Sequence, residues 1–268
     1  MNTYTLLSQT ERQRVSDGAI ASILSGCQSS PRQLVLILPQ LGDFDSFEYA
    51  WRLRSRAEQL SAQGIAIRAV GIGDRGSGQR FCDYTGFPAD CLFVDPAAQL
   101  HQTLNLYAGL SLKLPGLSPG VNAWLNLMLM CAGIGSPGTL AEVFRGYRGD
   151  SKAPQLIGDE EIVHAPPLPP LKGSFFRWAG GGGFQRPFEL ATLRLRNMGE
   201  VLTNWKIYVP NPAYLTQRGA TFLFNDRGEL LYEHRDRAIL GFAADMSNPL
   251  SFLTDFVTPK TESLNVKN

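Results

Sequence analysis

The chain is short of the residues that most site chemistry needs. Its four cysteines stand at positions 27, 82, 91 and 131, with no CxxC pair and no cysteine–histidine cluster at metal-ligand spacing. So few cysteines in a chain of 268 residues argue against a disulfide framework and for a reducing, cytoplasm-like compartment. Only three histidines occur, at 101, 164 and 234, so a histidine-activated nucleophile or a histidine-rich metal centre has little to draw on, and no metal is expected. Lysine is scarce too. With six lysines among 25 basic residues, the positive charge is mostly arginine, which suits paired guanidiniums better than a solvated cationic face. A net charge of +1 gives no reason to expect nucleic acid as a partner. Long apolar runs are also missing. The most apolar stretch, 121–134, contains Asn122 and Asn126 and falls short of the ~20 residues of a membrane span, so it reads as a buried helix. The opening MNTYTLLSQTERQRVSDG carries Glu11 and Asp17 and has no apolar core, unlike a secretory signal.

What is present is an alternation of strand and helix. Residues 33–38 form a nearly continuous apolar run that reads as a buried strand. A turn at Pro39-Gln40-Leu41-Gly42 follows, then a helix start near Asp45 with Glu48 at capping-box spacing. Phe47, Ala50, Leu53, Ala57 and Leu60 share one face of that helix, and Gly64 closes it. Further strands are expected at 65–70 and 91–94, a short helix at 77–85 ended by Gly86, and another helix from Pro96 to about Leu106. Such alternation with short links predicts a mainly parallel sheet covered on both faces. From about 108 to 217 Pro and Gly interrupt the pattern, with two helices before Gly146. A longer helix from Pro187 is expected to bury Leu190, Leu193, Met198, Val201, Leu202 and Trp205. Residues 220–224 and 230–234 then form a hairpin across Asn225-Asp226-Arg227-Gly228, and a last helix covers about 247–257. The expected organisation is an N-terminal extension (1–33), a first domain half (34–107), an inserted helical and loop subdomain (108–217), a second half (218–258) and a polar tail (259–268).

Three segments carry a family resemblance: 34–60, the stretch GIGDRGSGQRFCDYTGFPADCLFVDPAAQLHQTLNLYAGL (71–110), and GATFLFNDRGELLYEHRDRAILG (219–241). Together with the order of elements they resemble the peroxiredoxin-like branch of the AhpC/TSA superfamily. The resemblance implies a thioredoxin-like α/β fold with helices on both faces of the sheet, carrying here a large insertion. It also implies an antioxidant, thiol-based activity, and relatives in oxygenic phototrophs, which would suit a cyanobacterial or plastid stroma. The Gly-Cys-x-x-Cys of that family falls on Gly42-Asp43-Phe44-Asp45-Ser46, so Asp43 and Ser46 stand where the redox cysteines would be. A helix N-terminus favours a charged carboxylate, which makes Asp43 a poor base near neutrality, and Ser46 has no histidine nearby in sequence. The expected role of Asp43, Asp45 and Ser46 is to cap the helix.

Other candidates are Cys82, a thiol beside Arg80 that could have taken over a relocated redox role, and Gly71, Gly73 and Gly76, a GxGxxG between strand and helix. The first reads more naturally as a small buried hydrophobe and the second as a glycine-rich turn, since the helix after it is short and it does not open the domain. Glu233 to Arg237 reads as a surface ladder of alternating charge. Phe175, Phe176, Trp178 and Phe184 around the four glycines 180–183 suggest a lip or contact surface. The reading that follows is a peroxiredoxin-like protein that binds an unidentified partner or small ligand without cofactor. The alternatives are a thiol oxidoreductase on a relocated cysteine and a nucleotide-binding enzyme using Gly71 to Gly76.

Overall fold

The computed structural model describes residues 2–27, 29–149, 155–179 and 185–257. In chain order the elements are α1 (Thr3–Gln9), β1 (Glu11–Arg14), β2 (Ile20–Ser22), β3 (Arg32–Gln40), α2 (Phe44–Arg54), α3 (Ala57–Ala62), β4 (Ile65–Ile72), α4 (Arg75–Thr85), β5 (Leu92–Val94) and α5 (Gln99–Thr103). They continue with α6 (Pro119–Cys131), α7 (Thr139–Arg148), β6 (Ile162–Val163), β7 (Leu171–Lys172), α8 (Arg186–Thr203), α9 (Trp205–Tyr208), β8 (Ala220–Asn225) and β9 (Leu230–Arg235). The main sheet runs β2-β1-β5-β4-β3-β8-β9, and β6 pairs with β7 in a small separate ladder.

β3 lies at the heart of this sheet because its residues are apolar on both faces. Leu34, Leu36 and Leu38 point into one core with Phe47, Leu53, Phe81 and Tyr208. Val35 and Ile37 point into the other with Leu7, Ile23, Phe93, Phe222 and Phe224. A strand buried on both sides needs helices on both faces, which is the thioredoxin-like arrangement. β3, β4 and β5 are parallel to one another, but β1/β2, β1/β5, β3/β8 and β8/β9 are antiparallel, so the sheet is mixed and not mainly parallel as the alternation suggested. The cause is a hairpin at each edge, since strands joined by tight turns can only pair antiparallel. The stretch without an apparent apolar core supplies the N-terminal hairpin, anchored by Leu7, Val15 and Ile23, all fully buried.

Several elements differ in detail from expectation. The helix after β3 begins at Phe44 under an Asp43 cap and is interrupted at 55–56 before α3. The helix at 77–85 starts two residues earlier, at Arg75, with a capping box between Asp74 and Ser77. α7 runs through Gly146 to Arg148. The last helix is a 3-10 turn over Ser251–Phe256. α6 is not a buried helix: Val121, Met128 and Ile134 just beyond it are about half exposed, and within the helix only Asn126 and Met130 are buried. Its asparagines explain the orientation. Asn126 accepts from the Leu112 N–H and donates to the Leu112 carbonyl, and Asn122 accepts from the Leu114 N–H, so the helix turns its amide side toward the preceding loop. In α8, Met198 and Leu202 are likewise exposed, whereas Leu190 and Val201 are buried. Among the described residues no helix is long and apolar enough to cross a membrane.

Gly78 shows how tightly the N-terminal hairpin seats. A Cβ there would sit 2.4 Å from Val15 Cγ2 and 3.1 Å from Val94 Cγ1. The clash, about 1–3 kcal/mol, exceeds the helix-propensity gain of at most about 1 kcal/mol. Gly78→Ala is therefore expected to lower the urea midpoint, and an unchanged or raised midpoint would show that the hairpin is not closely packed on α4.

Candidate functional site

β3 delivers the chain to a turn at Leu41 and Gly42, and Asp43 caps α2 by accepting the Asp45 N–H at 2.9 Å. The turn is covered by Tyr208, which is fully buried; a Cβ on Gly42 would lie 2.7 Å from the Tyr208 Cβ. Ser46 is also fully buried and donates to the Gln40 carbonyl at 3.0 Å. Its hydroxyl closes the turn and offers no nucleophile. Of the three acidic and hydroxyl residues expected to cap the helix, only Asp43 does so.

Facing the turn is Arg218, a guanidinium with no exposure, placed at the entry to β8. Its Nη2 donates to Asp43 Oδ2 at 2.7 Å, and Nη1 lies 3.4 Å from Asp45 Oδ2. Nε donates to the Thr216 carbonyl at 3.1 Å, and Nη2 also reaches the Leu215 carbonyl. Asp45 in turn accepts the Leu240 N–H at about 3.0 Å. Asp236, just past β9, accepts the Gly219 N–H at 3.2 Å and is 3% exposed. The ladder expected at 233–237 is thus divided. Arg235 and Glu233 pair at the surface, and Asp236 turns inward.

The site brings three carboxyls together around one cation. Burial pushes the Asp45 carboxyl well above its usual range, and the neighbouring Asp43 charge adds to this. Asp236 is raised to about 7 by burial, against the opposing pull of Arg218. Burial works against the charge on Arg218, but Asp43 and Asp45 outweigh it and raise its pKa. The chemistry available is that of a closed ionic clamp in which two of the carboxyls hold their protons more tightly than an exposed aspartate does.

The thiols lie elsewhere and are all held protonated. Cys82, on α4, is buried and pushed up to about 12, first by burial and then by Asp83. Its sequence neighbour Arg80 is turned away, engaged by Glu200 through Nε at 2.6 Å and Nη2 at 2.8 Å. Cys27 and Cys91 are raised mainly by burial. Cys131, at the end of α6, is the exposed thiol among them; it too is raised, first by its packing and then by Asp43. His101 is fully buried beside the end of β3, with Nε2 2.9 Å from the Leu38 carbonyl, and burial lowers it to about 4, so it stays neutral. Among the described residues no group of three or more His, Cys, Asp or Glu could hold a metal ion.

The GxGxxG segment is a packed turn. A Cβ on Gly71 would come within 2.3 Å of Leu41 Cδ2, and Gly73 adopts a φ of +156°. Gly76 lies in the first turn of α4 beside Asp74. The N-terminus of α4, where a phosphate would bind, is occupied by the Asp74 carboxylate, which accepts the Ser77 N–H at 2.8 Å, while Ser77 Oγ donates to the Ile207 carbonyl at 2.6 Å. Asp95 pairs with Arg12 at 3.3 Å and accepts the Leu100 N–H at 2.7 Å.

The aromatic group divides as well. Phe176 is buried in a small core with Ile157, Val163 and Ala165, contrary to its expected place on a contact surface, whereas Phe175 and Trp178 are exposed. Phe184 and the glycines 180–183 lie outside the described residues.

Sequence reasoning missed Arg218 and the inward turn of Asp236. The arginine bias was the available signal, but it could not say which arginine would be enclosed. The chain belongs to the family of AhpC/TSA antioxidant enzymes, whose family model matches residues 52–238. That span includes Arg218 and Asp236 and begins after Asp43 and Ser46. No curated protein matches the chain.

The raised Asp236 carboxyl gives a pH test. Between the unfolded pKa near 3.8 and the folded value near 7, the folded state keeps a proton that the unfolded state releases. The stability associated with that proton is complete below about pH 4 and is lost as pH rises through 7. Asp236→Asn, which can still accept from Gly219, should therefore gain on the wild type as pH rises across this window, by roughly 2–4 kcal/mol in all. Parallel denaturation curves at pH 5 and 8 with no change in the difference would contradict the assignment.

Proposed function

We propose that this AhpC/TSA family member is a peroxiredoxin-like protein that has exchanged thiol chemistry at the helix start for a carboxylate and works by binding a partner or ligand. The observation that carries the reading is the Asp43–Arg218 pair. A buried cation and a helix N-terminus together favour an anion at position 43, and this chain fills that position with a side chain that cannot be oxidised. The high thiol pKa of Cys82 supports the same reading, and the Asp74 cap on α4 weighs against nucleotide binding at Gly71 to Gly76. In this reading residues 108–217 are an inserted subdomain between the two halves of the thioredoxin-like domain. Tyr208 from that subdomain lies against Gly42 in the turn before Asp43, and the exposure of Trp178 and Phe175 supports their reading as an outward contact surface.

One observation favours a second reading, a relocated thiol oxidoreductase. Cys131 is exposed and close enough to Asp43 and Arg218 to feel both charges. Its raised pKa makes it a slow nucleophile near neutrality.

Peroxide consumption with thioredoxin or glutathione as reductant separates the two. No turnover above background is expected for the wild type, and family-typical turnover lost in Cys131→Ser or Cys82→Ser would establish the second reading. The frame itself can be tested by Asp43→Cys. Arg218 and the helix start should hold the new thiol roughly 1–3 pKa units below its ordinary value of about 8.5, seen as rapid alkylation at pH 6. A thiol at 43 that titrates normally would mean that the turn has lost its preference for an anion.

A further inference from the structure

α8 packs across α2 and leaves a cleft of about 390 Å³, within the range of small-molecule sites. Phe44, Trp51 and Tyr84 form an aromatic wall, with leucines of α8 opposite. Two guanidiniums in the cleft are incompletely satisfied. The Arg52 side chain is only 15% exposed, yet its buried Nη2 has no hydrogen-bond partner; Glu48, the nearest carboxylate, stands 3.8 Å away. Burial accordingly lowers the pKa of Arg52. The Arg196 guanidinium lies flat on Trp51 at 4.3 Å, and its buried Nε also lacks a partner. Arg54 and Arg194 add two further cations to the lining, and Glu48 and Glu161 are its acids.

A buried arginine without a hydrogen-bonded counter-ion is costly in a protein that has no use for it, and a planar fork beside an aromatic wall matches a planar anion carried on a flat apolar body. We infer that the cleft between α2 and α8 is a binding site for a small organic carboxylate with a flat, apolar body, its carboxylate held by Arg52 and Arg196 and its body against Phe44 and Tyr84. The inference rests on the reading of the protein as a binder, and gives that reading a ligand class. The cleft also shares Leu240, whose N–H Asp45 accepts, with the carboxyl cluster, so an occupant would touch the element that the cluster clamps.

Calorimetric titration of the intact chain with 2-naphthoate, and separately with the neutral 2-naphthalenemethanol, tests the site. One equivalent of naphthoate is expected to bind, and the alcohol roughly tenfold or more weaker, the loss of a charge-assisted hydrogen bond. Arg52→Met should weaken naphthoate by a similar factor and raise the melting temperature, because a largely buried charge with an unmet N–H and only a long ion pair to Glu48 is replaced by an apolar side chain. A purely structural Arg52 would instead lower the melting temperature when removed. Arg196→Lys keeps the charge and loses the fork, and should also weaken binding; Glu48→Gln should tighten it. Equal affinity for acid and alcohol, no binding of either, or unchanged affinity in both arginine variants would overturn the inference. Absent naphthoate binding together with absent peroxide turnover would remove this site and leave the binding reading in place, whereas peroxide turnover bears on that reading alone.

Discussion

Arg218 has no contact with solvent, so everything around it must answer to its charge, and much of the architecture follows from that requirement. Two carboxyl groups approach it from the start of α2 and two carbonyls from the segment before β8, which fastens the turn after β3 to the chain's return into the sheet. Tyr208 can then lie directly on Gly42, since the turn beneath it is held in place. Removal of one partner would leave the other charged and buried, which is far costlier than the net worth of the pair. The clamp therefore constrains the whole end of the sheet, although only a few atoms take part in it.

The same clamp decides what chemistry the helix start can perform. A helix N-terminus beside a guanidinium stabilises any anion placed there. With a thiol at that position the effect would be a reactive thiolate; with Asp43 it is a capped helix and a saturated cation. Were Asp45 and Asp236 both ionised, the cluster would hold more negative charge than one arginine can balance, and burial raises the pKa of both. Position 43 thus joins anion-stabilising electrostatics to a side chain with no redox chemistry, and the four thiols have environments that raise their pKa.

Arginine serves different ends across the molecule. Arg80 and Glu200 form a forked pair that ties α4 to α8, and Arg12 with Asp95 joins the N-terminal hairpin to the end of β5. Arg196 is spread on an aromatic ring, and Arg52 is left with an unmet N–H in a cleft. The first two uses are structural because each joins two separate elements, and the Arg80 fork meets both oxygens of Glu200. The last two both line the α2–α8 cleft, each with a buried N–H that has no partner.

Much of the fold could be read directly from the chain. The continuous apolar run of β3, the glycine-ended helices and the Asn-Asp-Arg-Gly turn between β8 and β9 each follow from local rules of burial period, cap and turn, and those rules need no knowledge of distant residues. The missing CxxC was equally legible, because the spacing of cysteines is a fact of sequence. Tertiary structure decided the rest. Nothing local distinguishes Arg218 from its neighbours Arg227 and Arg235, or Asp236 from Glu233; Arg218 and Asp236 are buried because of what packs over them. α6 presents an apolar face to solvent because Asn122 and Asn126 are recruited by a loop that precedes the helix, which a periodic pattern cannot reveal. Antiparallel hairpins at both sheet edges likewise depend on which strands meet in space. Sequence determined the elements and the absence of a CxxC pair; long-range packing alone chose which charges were enclosed, since burial is a property of the neighbours a residue acquires.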